Sequence, residues 1–210
     1  MKHKNIFVTG IDTDVGKTIC SSLLVEALKA DYWKPVQCGV EEGTDFKTVK
    51  NLVGNSQSFF HPEKYVFSLP KSPHLAASYE DVTIDLDEIR VPETKARLVV
   101  EGAGGALVPL NSKDYIIDIA AREDMSVVLV TKNYLGSLNH TFLSVEALRQ
   151  RGIKILGLVF NGTKDSVLEG FVSRRTDLPI LFHVPVFSKL NQKSLCIFAK
   201  EVKESMERYL

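Results

Sequence analysis

The sequence predicts an α/β fold in which helices flank a mostly parallel β-sheet. Short apolar runs alternate with helix-like segments along the chain, and some runs, such as residues 127–130, are apolar without interruption. Uninterrupted apolar strands are typical of parallel sheets buried on both faces, and repeated βα units join parallel strands by right-handed crossovers. A chain of 210 residues suits one domain, so we expect residues 1–210 to form a single unit.

Each predicted strand is a short apolar run, and each predicted helix is one of the helix-like segments between the runs. The six candidate strands are apolar runs at residues 5–9, 32–36, 96–101, 126–131, 154–161 and 180–184. The six candidate helices lie at residues 19–30, 45–52, 115–122, 138–151, 166–175 and 194–209. The fourth helix carries Phe142, Val145 and Leu148 at helical spacing, and Gly152 follows it where a C-cap is expected. Residues 56–73 contain three prolines and are predicted to be an irregular excursion over the surface.

Charge and composition exclude several classes of function. The 26 basic and 26 acidic residues cancel, so there is no electrostatic footprint for nucleic acid or an anionic membrane, and we expect neither as a partner. No apolar run approaches the roughly 18 residues that a membrane span needs. The first residues lead into a strand rather than a secretion signal. Cys20, Cys38 and Cys196 show neither a disulfide framework nor zinc-ligand spacing, which favours reduced thiols in a cytoplasmic protein.

The most informative motif is GIDTDVGKT at residues 10–18, a glycine-bounded loop between the first strand and the first helix. Because this is the layout of a phosphate-binding P-loop, the sequence predicts a P-loop nucleoside triphosphate hydrolase-like fold, and a plain turn with a surface lysine is disfavoured. Five residues separate the two glycines, one more than the common spacing. Lys17 is expected to reach terminal phosphates and Thr18 to coordinate Mg²⁺. The expected nucleotide-binding residues of the loop are Asp12, Thr13, Asp14, Val15, Gly16, Lys17 and Thr18.

Three further clusters follow predicted strands, at the edge where parallel sheets bind ligands. Lys34 follows the second strand, and a second lysine near the P-loop suits an anionic substrate that meets a triphosphate; a solvated lysine is the alternative. Glu101 ends the third strand before a glycine-rich turn, where a carboxylate can hold a metal ion; an ordinary turn is the alternative. Asn161 precedes Gly162 after the fifth strand, and its amide can read a nucleobase edge or simply belong to a turn.

Taken together, the motifs resemble those of the dethiobiotin synthetase family. Five motifs occur in that family's order, and the resemblance runs from about residue 5 to residue 161. They are residues 10–18, Lys-Pro-Val-x-x-Gly at 34–39, Ser-Pro-His at 72–74, Val-Glu-Gly-Ala-Gly-Gly at 100–105 and Gly-x-x-Asn-His at 136–140. The resemblance implies ATP- and Mg²⁺-dependent closure of the ureido ring of dethiobiotin, in biotin synthesis, from 7,8-diaminopelargonic acid and CO₂.

The resemblance also implies roles for individual residues. Lys17 and Lys34 would be catalytic, holding a carbamate and the transferring phosphoryl group, and Thr13 would contact the diamine or the carbamate. The implied metal ligands, direct or through water, are Thr18, Asp45 and Glu101; Asp45 could equally be an ordinary acid at a helix N-terminus. The implied substrate-binding residues are Thr13, Lys17, Lys34, Cys38, Gly104, Gly105, Gly136, Ser137, Leu138 and Asn139. Residues 136–140 would grip the substrate carboxylate across the interface of a homodimer with a shared site.

Two departures from the family bear on the site. Cys38 stands where serine is common in the substrate loop, and a thiol is a weaker hydrogen-bond donor. Residues 182–185 read Phe-His-Val-Pro where the family often reads Gly-Glu-Ile-Pro, near the base pocket. We therefore expect loose nucleotide selectivity, with Asn161 as the single residue expected to read the base.

Two other functions are weighed against this one. A P-loop partitioning or switch ATPase usually carries an extra lysine where Asp12 stands, and residues 161–164 do not supply the Asn-Lys-x-Asp of a GTPase switch. A non-catalytic nucleotide-binding partner module would show no turnover with the diamine.

Overall fold

A parallel sheet forms the centre of the computed structural model, which describes residues 5–41 and 43–210. The described strands are β1 (Ile6–Gly10), β2 (Asp31–Trp33), β3 (Val36–Cys38), β4 (Phe60–His61), β5 (Tyr65–Phe67), β6 (Leu98–Gly105), β7 (Ser126–Lys132), β8 (Ile155–Asn161) and β9 (Ile180–Val184). Seven of them form one sheet in the order β4-β2-β6-β1-β7-β8-β9, in which every neighbouring pair is parallel. The strands β3 and β5 pair separately, also in parallel. The predicted α/β class with a mostly parallel sheet is confirmed.

Helices connect and flank the strands. They are α1 (Lys17–Leu28), α2 (Asp45–Leu52), α3 (Pro73–Tyr79), α4 (Asp118–Arg122), α5 (Ser137–Gln150), α6 (Ser166–Thr176) and α7 (Gln192–Met206), with a 3₁₀ turn at Leu86–Glu88. Thr44, Asp165 and Asn191 cap α2, α6 and α7 by accepting hydrogen bonds from backbone N–H groups. The cap at Thr44 fixes the start of α2 and with it the position of Asp45. Among the described helices, none combines the length and the apolar character required to cross a membrane.

The middle of the sheet is the most deeply buried part of the molecule. All of β1 is buried, and so are residues 126–131 of β7. Full burial explains why these strands lack polar alternation, and each large apolar side chain placed there contributes about 1.5–3 kcal/mol. In the sheet order, β1 lies between β6 and β7, and β6 lies between β1 and β2. The well-packed core therefore holds the carboxyl ends of β2, β6 and β1 side by side.

Besides shifts at helix ends, the structure differs from the predicted elements in two places. The strand predicted at residues 32–36 divides, because the chain leaves the main sheet at Lys34 and Pro35 before it enters β3, and proline has no N–H with which to continue a ladder. Residues 56–73 are not irregular throughout, since β4 and β5 lie within them and α3 begins at their end. These strands of two and three residues are too short for a hydrophobic period to reveal them.

Candidate active site

The P-loop runs from the end of β1 to the first turn of α1. Gly16 has a φ of +100°, and a Cβ atom there would lie 2.1 Å from Nδ2 of Asn161, so only glycine fits. The same Nδ2 atom, at the end of β8, donates to the Val15 carbonyl at 2.9 Å. The end of β8 therefore braces the loop at the N-terminus of α1, where backbone N–H groups and the helix dipole favour an anion.

Lys17 is the first residue of α1, and only 7 % of its surface is exposed. Its Nζ donates to the Asp12 carbonyl at 3.0 Å, its one hydrogen bond to the described part of the chain. Burial lowers the pKa of Lys17 to about 8, and the charge of Lys34 acts in the same direction. An ammonium group has three N–H donors, so Lys17 has hydrogen-bonding capacity left for a ligand.

Lys34 is a second buried cation, 3 % exposed, and so it is not the solvated lysine of the alternative interpretation. Its Nζ lies 2.8 Å from Asp45 Oδ2, 3.4 Å from Glu101 Oε1 and 3.2 Å from the Gly102 carbonyl. Burial by itself lowers the pKa of Lys34, but the two carboxylates outweigh it and raise the pKa above its ordinary value. At Asp45, burial by itself raises the pKa, but the charge and hydrogen bond of Lys34 outweigh this effect and lower the pKa of the carboxyl below its ordinary value. The three groups form a charged network.

Three oxygen-bearing side chains meet next to this network. The Thr18 hydroxyl lies 2.8 Å from Asp45 Oδ1 and 2.9 Å from Glu101 Oε1. The buried Tyr32 hydroxyl donates to the other carboxylate oxygen, Glu101 Oε2, at 2.9 Å. Hydroxyl and carboxylate oxygens are the donors that Mg²⁺ accepts, usually together with phosphate oxygens and water. The described residues contain no group of three or more His, Cys, Asp or Glu with metal-binding geometry, and a metal site at Thr18, Asp45 and Glu101 stays a prediction.

A cleft of about 870 Å³ joins these groups to the strand ends. Thr13, Lys17, Lys34, Cys38 and Gly104 line it, together with the loop at Ser72 and Pro73. Gly104 has a φ of +63°, and a Cβ atom there would lie 2.7 Å from Val108. Burial raises the pKa of the Cys38 thiol to about 11, so this group is a neutral, weak donor on the cleft wall.

Several residues that the family resemblance implies lie outside this cleft. Gly136, Ser137, Leu138 and Asn139 are not among its lining residues within one chain; Ser137 is buried and Asn139 is exposed at the start of α5. Gly105 pairs with Gly10 at the end of β6 but does not line the cleft. Asn161 contacts the back of the P-loop instead, and its Nδ2 donor is already engaged there. One chain therefore assembles the phosphate side of the site but not residues 136–139.

Two residues that position the site were not found from the sequence. Tyr32 fixes Glu101, and Gln37 accepts from the backbone N–H of Asp45 at 3.1 Å while its Nε2 donates to the Cys38 and Gly39 carbonyls. Both are buried polar side chains beside Lys34 in sequence. The signal in the sequence that could have identified them is a hydroxyl and an amide side chain within an apolar segment next to a candidate lysine.

The fold and the site define a P-loop protein of the class that uses nucleoside triphosphates. Solved structures of similar fold include the cell division ATPase MinD of Pyrococcus furiosus, with a TM-score of 0.59 and 14% identity over 99% of this chain and 100% of that one. A ParA family ATPase from Chlorobium tepidum has a TM-score of 0.57 and 8% identity over 95% and 98% of the two chains. At such low identity these structures support the P-loop fold alone.

Sequence comparison gives a narrower result. A family model described as an AAA domain matches residues 4–194. The ATP-dependent dethiobiotin synthetase BioD of Christiangramia forsetii is 47% identical over 81% of this chain and 82% of its own length. The ATP-dependent dethiobiotin synthetase BioD of Cytophaga hutchinsonii is 43% identical over 93% and 95% of the two chains. The chain belongs to the ATP-dependent dethiobiotin synthetase family of enzymes, which confirms the resemblance seen in the motifs.

Proposed function

We propose that this enzyme uses ATP to close the ureido ring of dethiobiotin from 7,8-diaminopelargonic acid and CO₂, in biotin biosynthesis. The observation that carries the proposal is the pair of buried lysines on one cleft, Lys17 with an incompletely bonded ammonium group and Lys34 paired with two carboxylates. The relatives named above supply the reaction, since the printed names of those proteins are ATP-dependent dethiobiotin synthetases.

The reaction requires cations because it brings two anions together. One substrate amine adds to CO₂ and loses a proton to give a carbamate anion, whose oxygen must then attack the γ-phosphorus of ATP, also anionic. Fixed positive charges between the two lower that electrostatic cost, and positioned donors that act on developing charge are the largest single source of rate enhancement in many enzymes. Lys17, at the P-loop, would hold the γ-phosphate and the carbamate. Lys34 would hold the carbamate and the transferring phosphoryl group.

In the remaining steps the protein would mainly orient the reacting groups and would take little direct part in the bonds that form and break. Phosphoryl transfer gives a carbamic-phosphoric anhydride and ADP, and the second amine attacks the carbonyl carbon, so that the ring closes and phosphate leaves with the bonding electron pair. Thr13, Cys38 and Gly104 line the cleft where the diamine would lie. Positioning of reactants in such a cleft converts a reaction between separate molecules into one between neighbours.

Thr18, Asp45 and Glu101 would hold Mg²⁺, since one oxygen of each carboxylate lies 2.8–2.9 Å from the Thr18 hydroxyl. When bound, Mg²⁺ would neutralise charge on the β- and γ-phosphates. The Tyr32 hydroxyl would keep one Glu101 oxygen engaged and so orient the other toward Thr18. Asp45 also pairs with Lys34, so we propose that it contributes to the metal site through water or directly.

The substrate carboxylate would be held by a second copy of this chain in a homodimer with a shared site. Residues 136–139 do not line the cleft of their own chain, although the family resemblance assigns them to the substrate. Large apolar side chains are exposed around α5 and α6, including Leu135 at 104 %, Leu143 at 55 % and Phe171 at 47 %. Exposed apolar surface of this kind is typical of protein interfaces. We propose that this surface meets its copy, and that the protein works in the cytoplasm, as free thiols at Cys20, Cys38 and Cys196 favour.

Product formation tests the function directly. Protein, 7,8-diaminopelargonic acid, bicarbonate, Mg²⁺ and ATP are mixed, and dethiobiotin is measured by mass spectrometry. We expect dethiobiotin, ADP and phosphate in equal amounts. Hydrolysis of ATP without dethiobiotin would contradict the proposal in favour of a partitioning or switch ATPase. Nucleotide binding without any turnover would favour a nucleotide-binding partner module.

Mixing of two inactive variants tests the shared site. Lys17→Ala removes the phosphate lysine, and Leu138→Glu places a charge at the start of α5. If each site uses Lys17 of one subunit and residue 138 of the other, hybrid dimers contain one site free of both changes, and activity returns. Hybrid dimers that form but remain inactive would place each site within a single subunit.

A further inference from the structure

Four residues behind the P-loop have no part in the chemistry proposed above. They are Asn133 after β7, Gly162 after β8, Glu169 in α6 and His183 in β9, and we call them the strand-end cluster. Gly162 directly follows Asn161, the residue that braces the P-loop. The cluster therefore lies where the family resemblance puts the base pocket, and His183 belongs to the segment that departs from the family.

His183 lies between two hydrogen-bond acceptors. Its Nδ1 is 3.2 Å from one carboxylate oxygen of Glu169 and 3.3 Å from the other, and its Nε2 is 2.8 Å from the Gly162 carbonyl. The two ring nitrogens of His183 therefore link the Glu169 carboxylate to the Gly162 carbonyl.

Glu169 is the anionic partner that makes this arrangement stable. It is 2 % exposed, and its carboxylate also accepts from the Asp165 backbone N–H at 3.0 Å and from Asn133 Nδ2 at 3.3 Å. A buried carboxylate is costly unless it is paired and hydrogen-bonded. Within the described residues, His183 is the basic side chain that lies within ion-pair distance of it.

This pair immobilises the turn that carries Asn161. His183 holds the Gly162 carbonyl, while the Gly162 backbone N–H donates to the Val184 carbonyl at 3.0 Å. The Asn161 amide nitrogen is bound to Val15, and its Oδ1 accepts no hydrogen bond from the described part of the chain. A fixed carbonyl oxygen can accept from the exocyclic amine of adenine, whereas guanine presents a carbonyl oxygen at the corresponding position.

We propose that His183, held by Glu169, is a positioning residue for nucleobase recognition. It fixes the turn at Asn161 and Gly162 so that Asn161 Oδ1 prefers adenine, which has an amine at C6, over guanine, which has a carbonyl there. The inference rests on the proposed use of a nucleoside triphosphate at this P-loop, but it does not depend on the identity of the second substrate.

The test measures binding of two nucleotide analogues to the full-length protein by calorimetry, with Mg²⁺ and without diamine or bicarbonate. The probes are AMPPNP and GMPPNP. Loss of one positioning hydrogen bond changes affinity by about fivefold, so His183→Gln and Glu169→Gln should each raise the Kd of AMPPNP by about that factor. The Kd of GMPPNP should change by less than about twofold, because it makes no use of the fixed oxygen. In turnover assays the two variants should raise KM for ATP rather than lower kcat.

His61→Gln is the matched control. His61 is also a buried histidine beside a carboxylate, with Nε2 3.4 Å from Asp31 Oδ2, but it lies in β4 at the other end of the sheet order. It should lose stability and leave both Kd values unchanged. The double variant with both Glu169→Gln and His183→Gln should bind AMPPNP better than the two single effects together predict, since two amides can pair with each other.

Two results would overturn the proposal. If the variants of the cluster lower the melting temperature as His61→Gln does and neither Kd changes, the cluster is structural only. If AMPPNP and GMPPNP weaken equally, it acts on the phosphates and not on the base. A wild-type protein that binds nucleotide but forms no dethiobiotin would contradict the proposed reaction while leaving this comparison intact.

Discussion

One buried polar cluster lies at the amino end of β2 and another beside the carboxyl ends of the central strands, and they differ in whether the protein completes their hydrogen bonds. At the amino end of β2, Asp31 is 5 % exposed and accepts from the Phe59 backbone N–H at 2.8 Å, from the Thr94 hydroxyl and from His61. At the carboxyl ends, Lys17 is as deeply buried but donates only to the Asp12 carbonyl among the described residues, beside an open cleft of about 870 Å³.

Burial of a charge does not by itself mark a functional site. A buried group whose partners are all within the protein stabilises the fold. A buried group with unused donors costs stability, and a ligand that supplies the missing partners recovers it. Four predictions test this contrast, three by substitution and one by a change of pH.

The largest effect is expected at the cleft, where Lys17 is incompletely bonded and Lys34 is paired with two carboxylates. Lys17→Ala and Lys34→Ala should each reduce the rate of dethiobiotin formation by ~100-fold or more, because removal of one preorganised donor costs about 3 kcal/mol in the transition state. Circular dichroism should show a folded protein in both cases. Lys47→Ala, at an exposed lysine of α2, is the control and should retain activity. Near-normal turnover in a folded variant would remove that lysine from the mechanism.

Asp31→Ala should show the opposite pattern. It leaves a backbone N–H, a hydroxyl and a histidine without their acceptor, which should lower the free energy of unfolding by about 2–3 kcal/mol in a urea titration. Its kcat, measured well below the melting temperature, should stay within about twofold of the original value, since Asp31 does not line the cleft. Strong loss of activity with unchanged stability would contradict the structural role.

Glu101→Gln should act on the metal more than on the fold. An amide is a poorer ligand for a hard cation than a carboxylate, so the midpoint of the Mg²⁺ titration of activity should rise by about tenfold, or roughly 1.4 kcal/mol. Glu41→Gln provides the control, because Glu41 lines the same cleft and is exposed. An unchanged midpoint and maximum in Glu101→Gln would exclude Glu101 from the metal site.

The smallest effect is a pH dependence of nucleotide affinity. The pKa of Lys17 lies at about 8 in the free protein, so its charge is present below that pH and is lost as the pH rises through it. Affinity for Mg·AMPPNP should fall by about threefold from about pH 7.5 to about pH 8.5. Lys34, whose pKa is raised, stays charged over this range and adds nothing. Lys17→Arg should bind with no such dependence, because the guanidinium remains charged; a persisting dependence would assign it to another group.

The sequence was sufficient for the features that depend on neighbours along the chain. Uninterrupted apolar runs predict parallel strands, and the loop at residues 10–18 predicts a P-loop because glycines, lysine and threonine stand between a strand and a helix. It was insufficient for short strands such as β4, which exist because an edge of the sheet is available to pair with and not because of their own pattern. The order of the motifs along the chain also indicated the family that the comparisons confirm.

Which of these residues meet, and which hydrogen bonds remain open, depends on how the chain packs. Thr18 and Glu101 are 83 residues apart in the chain and 2.9 Å apart in space, and Tyr32 and Glu101 are 69 residues apart at the same distance. Glu169 in α6 and His183 in β9 also form a pair that the sequence does not show. Such contacts depend on the order of strands in the sheet and on which polar groups the core excludes from water. A local pattern contains neither, so the class of fold and the P-loop can be predicted from the sequence, whereas the charge network around the P-loop depends on the packed sheet.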